Sequence, residues 1–227
     1  MAKVIAIGQP VNDSERQAIS HLRDHLPDTY TILHNFELRY DREVFEIDLA
    51  VIAPHAVFVV DTKGTRGNID VYGAMWYPER RQPFHSPLAK LRGHAKVLSG
   101  LIADSNHADP NLRKVFCDSA VILTAADAHL SDSTGKDAPC TTTLAKCVRF
   151  FQDTSRVPDR FLKNIARYTG AVIRAIQGCA TDYAGAAIWP MGRDRATGRD
   201  RAVHGVSGGQ RLGWLEGRVG PVAALPG

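Results

Sequence analysis

Two neighbouring apolar segments carry charged side chains that could perform chemistry together. Residues 45–53 contain Glu46 and Asp48, and the segment that follows ends in Asp61-Thr-Lys63. Carboxylate oxygens are the ligands that Mg²⁺ and Mn²⁺ prefer in proteins. A lysine beside such an ion supplies further positive charge. The residue types therefore indicate metal-assisted chemistry, provided that the two segments meet in space.

The two segments are predicted to be antiparallel strands joined by a turn at residues 54–55. A loop of two or four residues centred there places Asp48 opposite Asp61 and Glu46 opposite Lys63, whereas a three-residue loop would shift the pairing by one residue. A proline in the turn favours four residues over two. The sequence therefore predicts that the charged residues meet at one end of a hairpin.

Alternation of side chains along a strand then assigns the faces of this hairpin. The four charged residues share one face, and the other face is wholly apolar, with Ile47, Leu49, Val51, Phe58 and Val60. Two carboxylates opposed across about 5 Å are destabilising unless a positive charge lies between them. A divalent cation, Mg²⁺ or Mn²⁺, would supply it. Glu46 and Lys63 could instead form an ordinary cross-strand ion pair.

A third acidic residue is predicted to approach the same place from a helix. Residues 12–14 offer N-cap side chains, and Glu15 then lies on an apolar stripe formed by Ala18, Ile19, Leu22 and Leu26. A carboxylate on a buried stripe needs a partner. We therefore expect Glu15 to point towards the same cation.

The remaining elements predict an α/β domain with a mixed sheet flanked by helices. Strands are predicted at 3–7, 30–38, 45–53, 56–63 and 120–124, helices at 14–26, 87–104 and 159–177, and a loop at 127–143. This domain covers residues 1–180. Residues 181–227 hold ten of the 19 glycines and six arginines. They are predicted to be a tail or linker that is largely without regular structure.

Composition excludes several classes of protein. The chain of 227 residues is 44% hydrophobic and 23% charged, which is typical of a globular protein. No apolar run approaches the roughly 18 residues of a membrane span, and no signal peptide begins the chain, so the cytoplasm is the expected location. P-loop, dinucleotide-binding and kinase signatures are absent. The net charge of +4 mildly favours anionic partners.

The order of these motifs resembles the NERD (nuclease-related) domain of the PD-(D/E)xK, restriction-endonuclease-like superfamily. The similarity covers residues 12–125 and rests on Glu15, Glu46-Ile-Asp48, Val-Val-Asp61-Thr-Lys63, Gly67-Asn-Ile and Trp76, followed by a helix that begins near Ser86-Pro-Leu. The sequence departs from the usual NERD pattern at Asp61, where glutamate is common. The wider superfamily accepts aspartate there.

The resemblance implies a restriction-endonuclease-like fold and a metal-dependent nuclease. In that interpretation Asp48, Asp61, Glu15 and Glu46 hold Mg²⁺ or Mn²⁺, and Lys63 is catalytic. The substrate would be nucleic acid, with DNA expected, and NERD domains accompany kinase or helicase modules, including kinases of bacterial phage defence. Basic residues that could contact phosphates are Arg66, Arg80, Arg81, Lys90, Arg92 and His94. The alternative is a non-catalytic module that binds nucleic acid or a partner, or that serves only regulation or scaffolding.

Overall fold

The computed structural model describes residues 1–40, 43–105 and 109–181, and the predicted tail beyond residue 181 lies outside these residues. The helices are α1 (Asp13–His25), α2 (Pro87–Asp104), α3 (Cys147–Gln152) and α4 (Thr169–Cys179). The strands are β1 (Lys3–Ala6), β2 (Thr31–Tyr40), β3 (Glu43–Ile52), β4 (Val57–Lys63), β5 (Asn68–Tyr72), β6 (Met75–Pro78), β7 (Phe84–His85), β8 (Cys117–Leu123), β9 (His129–Asp132), β10 (Thr141–Thr143) and β11 (Ala180–Thr181).

A mixed sheet forms the centre of the described fold. Its strands follow the order β1-β2-β3-β4-β8-β10, and β11 pairs with β2. The β2–β3 and β3–β4 pairs are antiparallel, whereas β4, β8 and β10 run parallel. The predicted fold class, an α/β mixed sheet of the restriction-endonuclease-like type flanked by helices, is thereby confirmed.

Helices cover both faces of this sheet, so its central strands are buried on both sides. On one face α2 and α4 enclose an apolar cluster, here called the α2 cluster, which includes Leu91, Leu98 and Ile176. On the other face α1 and α3 enclose the α1 cluster, which includes Leu22 and Phe151. The β3–β4 pairing therefore ends inside a sheet that is covered on both faces.

The predicted register of the β3–β4 hairpin is confirmed along its paired length. Ile52 pairs with Val57, and the ladder continues to Leu49 and Val60. The connection is a four-residue loop closed by a hydrogen bond from Ala53 N to Ala56 O of 2.8 Å. Asp48 and Asp61 follow the last paired residues.

Strict alternation fails one step further along β3. Alternation predicts that Ile47 faces the same side as Leu49 and Val51, but Ile47 packs in the α2 cluster with Ala50 and Ile52. The opposite strand explains the change, because Asn35 has a positive φ of 55° between the pairs formed by its two neighbours. Beyond this point the side chains of β2 and β3 therefore face the side of the sheet opposite to the one that strict alternation predicts.

A smaller sheet, in the order β7-β6-β5-β9, packs beside the start of α2. Its link to that helix is the buried carboxylate of Asp137, whose Oδ2 accepts hydrogen bonds from Trp76 Nε1 (2.7 Å) and Ser86 Oγ (2.5 Å). Ser86 is also the N-cap of α2. The same carboxylate therefore ties the small sheet to the helix that covers the larger one.

Two predictions about secondary structure are wrong. The helix predicted at 159–177 begins only at Thr169, because the backbone amides of Leu162 and Ile165 donate to the carbonyls of Lys114 and Pro54 instead of to their own segment. The loop predicted at 127–143 contains β9 and β10, which gain stability as parallel neighbours of β5 and β8.

No helix in the described ranges is long and apolar enough to cross a membrane.

Candidate metal and nucleic-acid site

The carboxyl groups of Asp48 and Asp61 meet where the β3–β4 ladder ends. Each lies one residue beyond the last pair, Leu49–Val60, and the two side chains are close enough for the charge of Asp61 to act on Asp48. Burial raises the pKa of Asp48 to about 7, and the charges of Asp61 and Glu15 add to this shift while Lys63 opposes it. At neutral pH this carboxyl is thus poised between its two protonation states.

Lys63 is held against Asp61 from the same strand. Its Nζ lies 2.7 Å from Oδ1 and 2.6 Å from Oδ2 of that carboxylate, and the two side chains are 30% and 16% exposed. Residues two apart on a strand share a face, so this contact follows from the sequence spacing. The lysine adjoins the acidic pair and remains partly open to solvent.

Glu15 lies in the first turn of α1 and is buried as predicted, with 3% exposed, and its role as a metal ligand stays a prediction. Its Oε2 accepts hydrogen bonds from Val11 N (2.8 Å) and Asn35 Nδ2 (2.6 Å), and its Oε1 accepts one from Asn12 Nδ2 (2.6 Å). Three donors thus compensate this buried carboxylate. It acts on Asp48 through its charge.

Asn35 is the residue that the sequence analysis missed. It is fully buried, lies across from Asp48 between two ladder pairs, and receives support from His34 Nδ1, which is 2.8 Å from its Oδ1. Its left-handed backbone is one that asparagine tolerates better than most residues. An asparagine in the middle of a predicted strand, where this residue type is uncommon, is the signal that could have revealed it.

Glu46 does not join the acidic group. It is exposed, pairs across the sheet with Glu37, and is not among the charges that shift the pKa of Asp48. The expected pairing of Glu46 with Lys63 is wrong within the described residues, because the β3–β4 ladder ends at Leu49 and Val60. Its role as a metal ligand stays a prediction.

The basic residues selected from the sequence occupy different environments. Arg66 and Lys90 are exposed, whereas the guanidinium of Arg92 donates to the Lys136 carbonyl at 2.8 Å and lies 4.0 Å from Asp137.

His94 differs from these residues because it is buried rather than on the surface. It packs edge to face against Phe45 at 5.3 Å between ring centroids. Burial lowers the pKa of His94, and the charge of Lys90 lowers it further. This ring is consequently neutral at physiological pH, which removes the charge that a phosphate contact would use.

The donor set of the acidic pair suits a divalent cation. Mg²⁺ is commonly bound through only one or two carboxylates, with waters and substrate phosphates completing its octahedron. The charge of Asp61 raises the pKa of Asp48, and a cation between the two carboxyl groups would relieve that repulsion. Within residues 1–40, 43–105 and 109–181, no group of three or more His, Cys, Asp or Glu side chains is arranged to hold an ion. The fit therefore rests on the two aspartates.

A mixed sheet between helices, with two apposed aspartates and a lysine where the pairing of two strands ends, defines a nuclease-like class of α/β domain. The family model described as the nuclease-related domain, NERD, matches residues 11–124, which is half of the chain. The chain therefore belongs to the NERD family.

One curated relative matches about half of the chain. The probable kinase PglW of Streptomyces coelicolor is 29% identical over 119 residues, which are 49% of this chain and 7% of that protein. The chain thus matches only a small part of the length of this relative. No solved structure matches the chain at a significant level.

Proposed function

We propose that this chain is a metal-dependent nuclease that hydrolyses phosphodiester bonds in DNA. The observation that carries the proposal is the pairing of Asp48 with the Asp61 charge beside Lys63, because two crowded carboxylates and one cation are a suitable set for Mg²⁺ or Mn²⁺ and a phosphate. Membership of a nuclease-related family supports the same reaction class.

Each residue has a distinct role in this proposal. Asp48 and Asp61 hold the cation, which when bound polarises the scissile phosphate and lowers the pKa of a water molecule. Lys63 leaves its bidentate contact with Asp61 to offset the charge that develops on the phosphate. Glu15, fixed by its three donors, keeps negative charge at the site and so favours a cation there. Arg66 and Lys90 contribute phosphate contacts from the surface.

A second candidate, a non-catalytic module that binds nucleic acid or a partner, is favoured by one feature. Lys63 already neutralises both oxygens of Asp61, so a stable ion pair could replace the metal altogether. The two functions differ in whether a divalent cation binds. Similarity to part of a probable kinase supports a setting beside a kinase module, and we propose phage defence as that setting.

The deciding experiment combines metal binding with cleavage. Calorimetry of the purified chain should show Mn²⁺ binding that is lost in Asp48→Asn and Asp61→Asn but retained in Lys63→Ala. Plasmid DNA should be cleaved in Mg²⁺ or Mn²⁺ and remain intact in excess EDTA. Lys63→Ala should slow cleavage by roughly a hundredfold or more, since its contact forms at the transition state.

Asp28→Asn is the matched control, because Asp28 is exposed in the turn that follows α1 and should change neither result. Failure of the folded wild-type chain to bind Mn²⁺ would reject the nuclease and leave the binding module. Cleavage that persists in Asp61→Asn would place the chemistry elsewhere.

A further inference from the structure

A cavity of about 380 Å³ opens beside the acidic pair and has no role in the mechanism above. Lys63 contributes to its wall together with Thr62 and Gly64 of the same strand end, Asn12 and Ser14 from the start of α1, and Arg81. Because Lys63 borders both places, a ligand in this cavity would adjoin a phosphate at the acidic pair.

Thr62 supplies the first observation that points to a ligand. It is 5% exposed, and its hydroxyl has no hydrogen-bond partner among the described residues. Thr62 alternates with Asp61 and Lys63 along β4, so its side chain faces the side of the sheet on which α1 lies. A buried hydroxyl without a partner is costly. A ligand that accepts its hydrogen bond would remove that cost.

The start of α1 supplies the second observation. Asn12 caps the helix by accepting from Glu15 N, while the amides of Asp13 and Ser14 have no acceptor among the described residues. Free first-turn amides and the helix dipole favour an anion. The two carboxylates of this turn are already compensated, because Asp13 pairs with Arg16 at 2.5 Å and Glu15 has its three donors.

The charge and the shape of the cavity favour the same kind of ligand. Arg81 provides a cation in its wall, and its guanidinium is placed over the Phe84 ring at 5.1 Å. Gly64 allows Ser14 of α1 to approach the end of β4 closely, since a Cβ at Gly64 would lie 2.6 Å from Ser14 Oγ. Cations, free amides and a hydroxyl are the donors that bind a phosphate group.

We propose that this cavity is a subsite for a second backbone phosphate of the nucleic acid, next to the phosphate at the acidic pair. The subsite deepens the proposed function and rests on nucleic acid being the ligand of the neighbouring centre. Thr62 and the first turn of α1 bind the phosphate by hydrogen bonds, and Arg81 binds it by charge. These residues hold the strand in register with Lys63 and do not take part in bond cleavage.

Binding in EDTA tests the subsite without any cleavage. A fluorescein-labelled DNA oligonucleotide is titrated with the full chain, and dissociation constants are measured by anisotropy at several salt concentrations. Thr62→Val keeps shape and burial while removing the hydroxyl, and should weaken binding about tenfold with an unchanged salt slope. Arg81→Gln should weaken binding and reduce the slope of log K against log salt by about one.

Two other residues provide matched controls. Thr65 is also buried with an unpartnered hydroxyl but lies outside the cavity wall, so Thr65→Val should bind within about twofold of wild type. Arg23 lies in the last turn of α1, 48% exposed and 2.8 Å from Asp24, and Arg23→Gln should likewise change little. Thermal unfolding of each variant confirms that it is folded.

The outcomes separate the subsite from the nuclease. Weaker binding by Thr62→Val and Arg81→Gln, with normal Mn²⁺ binding, supports the subsite even if the wild type proves inactive. Equal effects of the Thr62 and Thr65 substitutions overturn it, even if the wild type cleaves DNA. The titrations are repeated with millimolar inorganic phosphate. If phosphate abolishes the difference in affinity between wild type and Thr62→Val but does not release the oligonucleotide, the cavity binds free phosphate and the backbone subsite is overturned. Absence of oligonucleotide binding by the wild type overturns the subsite, whereas the nuclease is decided by cleavage in Mg²⁺ or Mn²⁺.

Discussion

Asp48 makes stability depend on pH in the metal-free protein. Its pKa is raised to about 7 in the fold, whereas an unfolded aspartate titrates near 3.9. Because the folded state binds this proton more tightly than the unfolded state, protonation of Asp48 stabilises the fold. That contribution is complete below about pH 4 and is lost as the pH rises to about 7. Urea unfolding in EDTA should therefore show stability decreasing over this range.

Asp48→Asn tests that origin, because the amide cannot ionise. The variant should lack this pH dependence and be more stable than the wild type at pH 8, with Asp28→Asn behaving like the wild type. Equal pH profiles for wild type and Asp48→Asn would show that the pKa of this carboxyl is ordinary.

Asn35 combines a backbone role with a side-chain role, and two substitutions separate them. Asn35→Gly retains the positive φ but removes the donor to buried Glu15, which should cost roughly 1.5–3 kcal/mol of unfolding free energy. Asn35→Ala should lose the same hydrogen bond and a further 1–2 kcal/mol, about the cost of placing alanine in the left-handed region. Urea denaturation measures both values. Equal losses would mean that the backbone conformation carries no cost at this position.

At the scale of elements, Asp137 fastens the small sheet to the start of α2. Asp137→Ala leaves the buried Trp76 indole and the Ser86 hydroxyl without an acceptor and should cost roughly 2–5 kcal/mol. Asp127→Ala is the control, because Asp127 is half exposed and only 3.8 Å from Arg80, a surface pair that contributes about 0–1 kcal/mol. Thermal unfolding compares the two. Similar losses would show that the Asp137 contacts do not hold the elements together.

At the scale of the molecule, the segment that matches the family is smaller than the folding unit. The match ends at residue 124, but α4 and the segment before it complete the α2 cluster through Ile165, Val172 and Ile176, which are fully buried. We expect residues 1–181 to unfold cooperatively near the temperature of the full chain. Residues 1–125 should lack that transition, because the α2 cluster would be open to water.

Circular dichroism measured against temperature checks this pair of fragments. A cooperative transition for residues 1–125 at the same temperature would show that the carboxy-terminal helix is dispensable. A failure of residues 1–181 to fold would contradict the predicted boundary between the domain and the tail.

Local sequence pattern was sufficient to predict the elements that hold the candidate site residues. The β3–β4 register followed from turn geometry, and the inward position of Glu15 followed from the helical stripe. Both depend on short-range periodicities that a sequence displays directly. The family resemblance, confirmed by the match over residues 11–124, rests on the same motifs.

Tertiary structure decided the features that depend on distant partners. The donors around Glu15 come partly from Asn35 on another strand, and the burial of His94 results from packing against Phe45. The segment before α4 gives two backbone amides to carbonyls far away in sequence, which prevents the predicted longer helix. Periodicity reports which face of an element is apolar, but it carries no information on which distant group will satisfy a buried donor or charge, and that choice is made only when the chain packs.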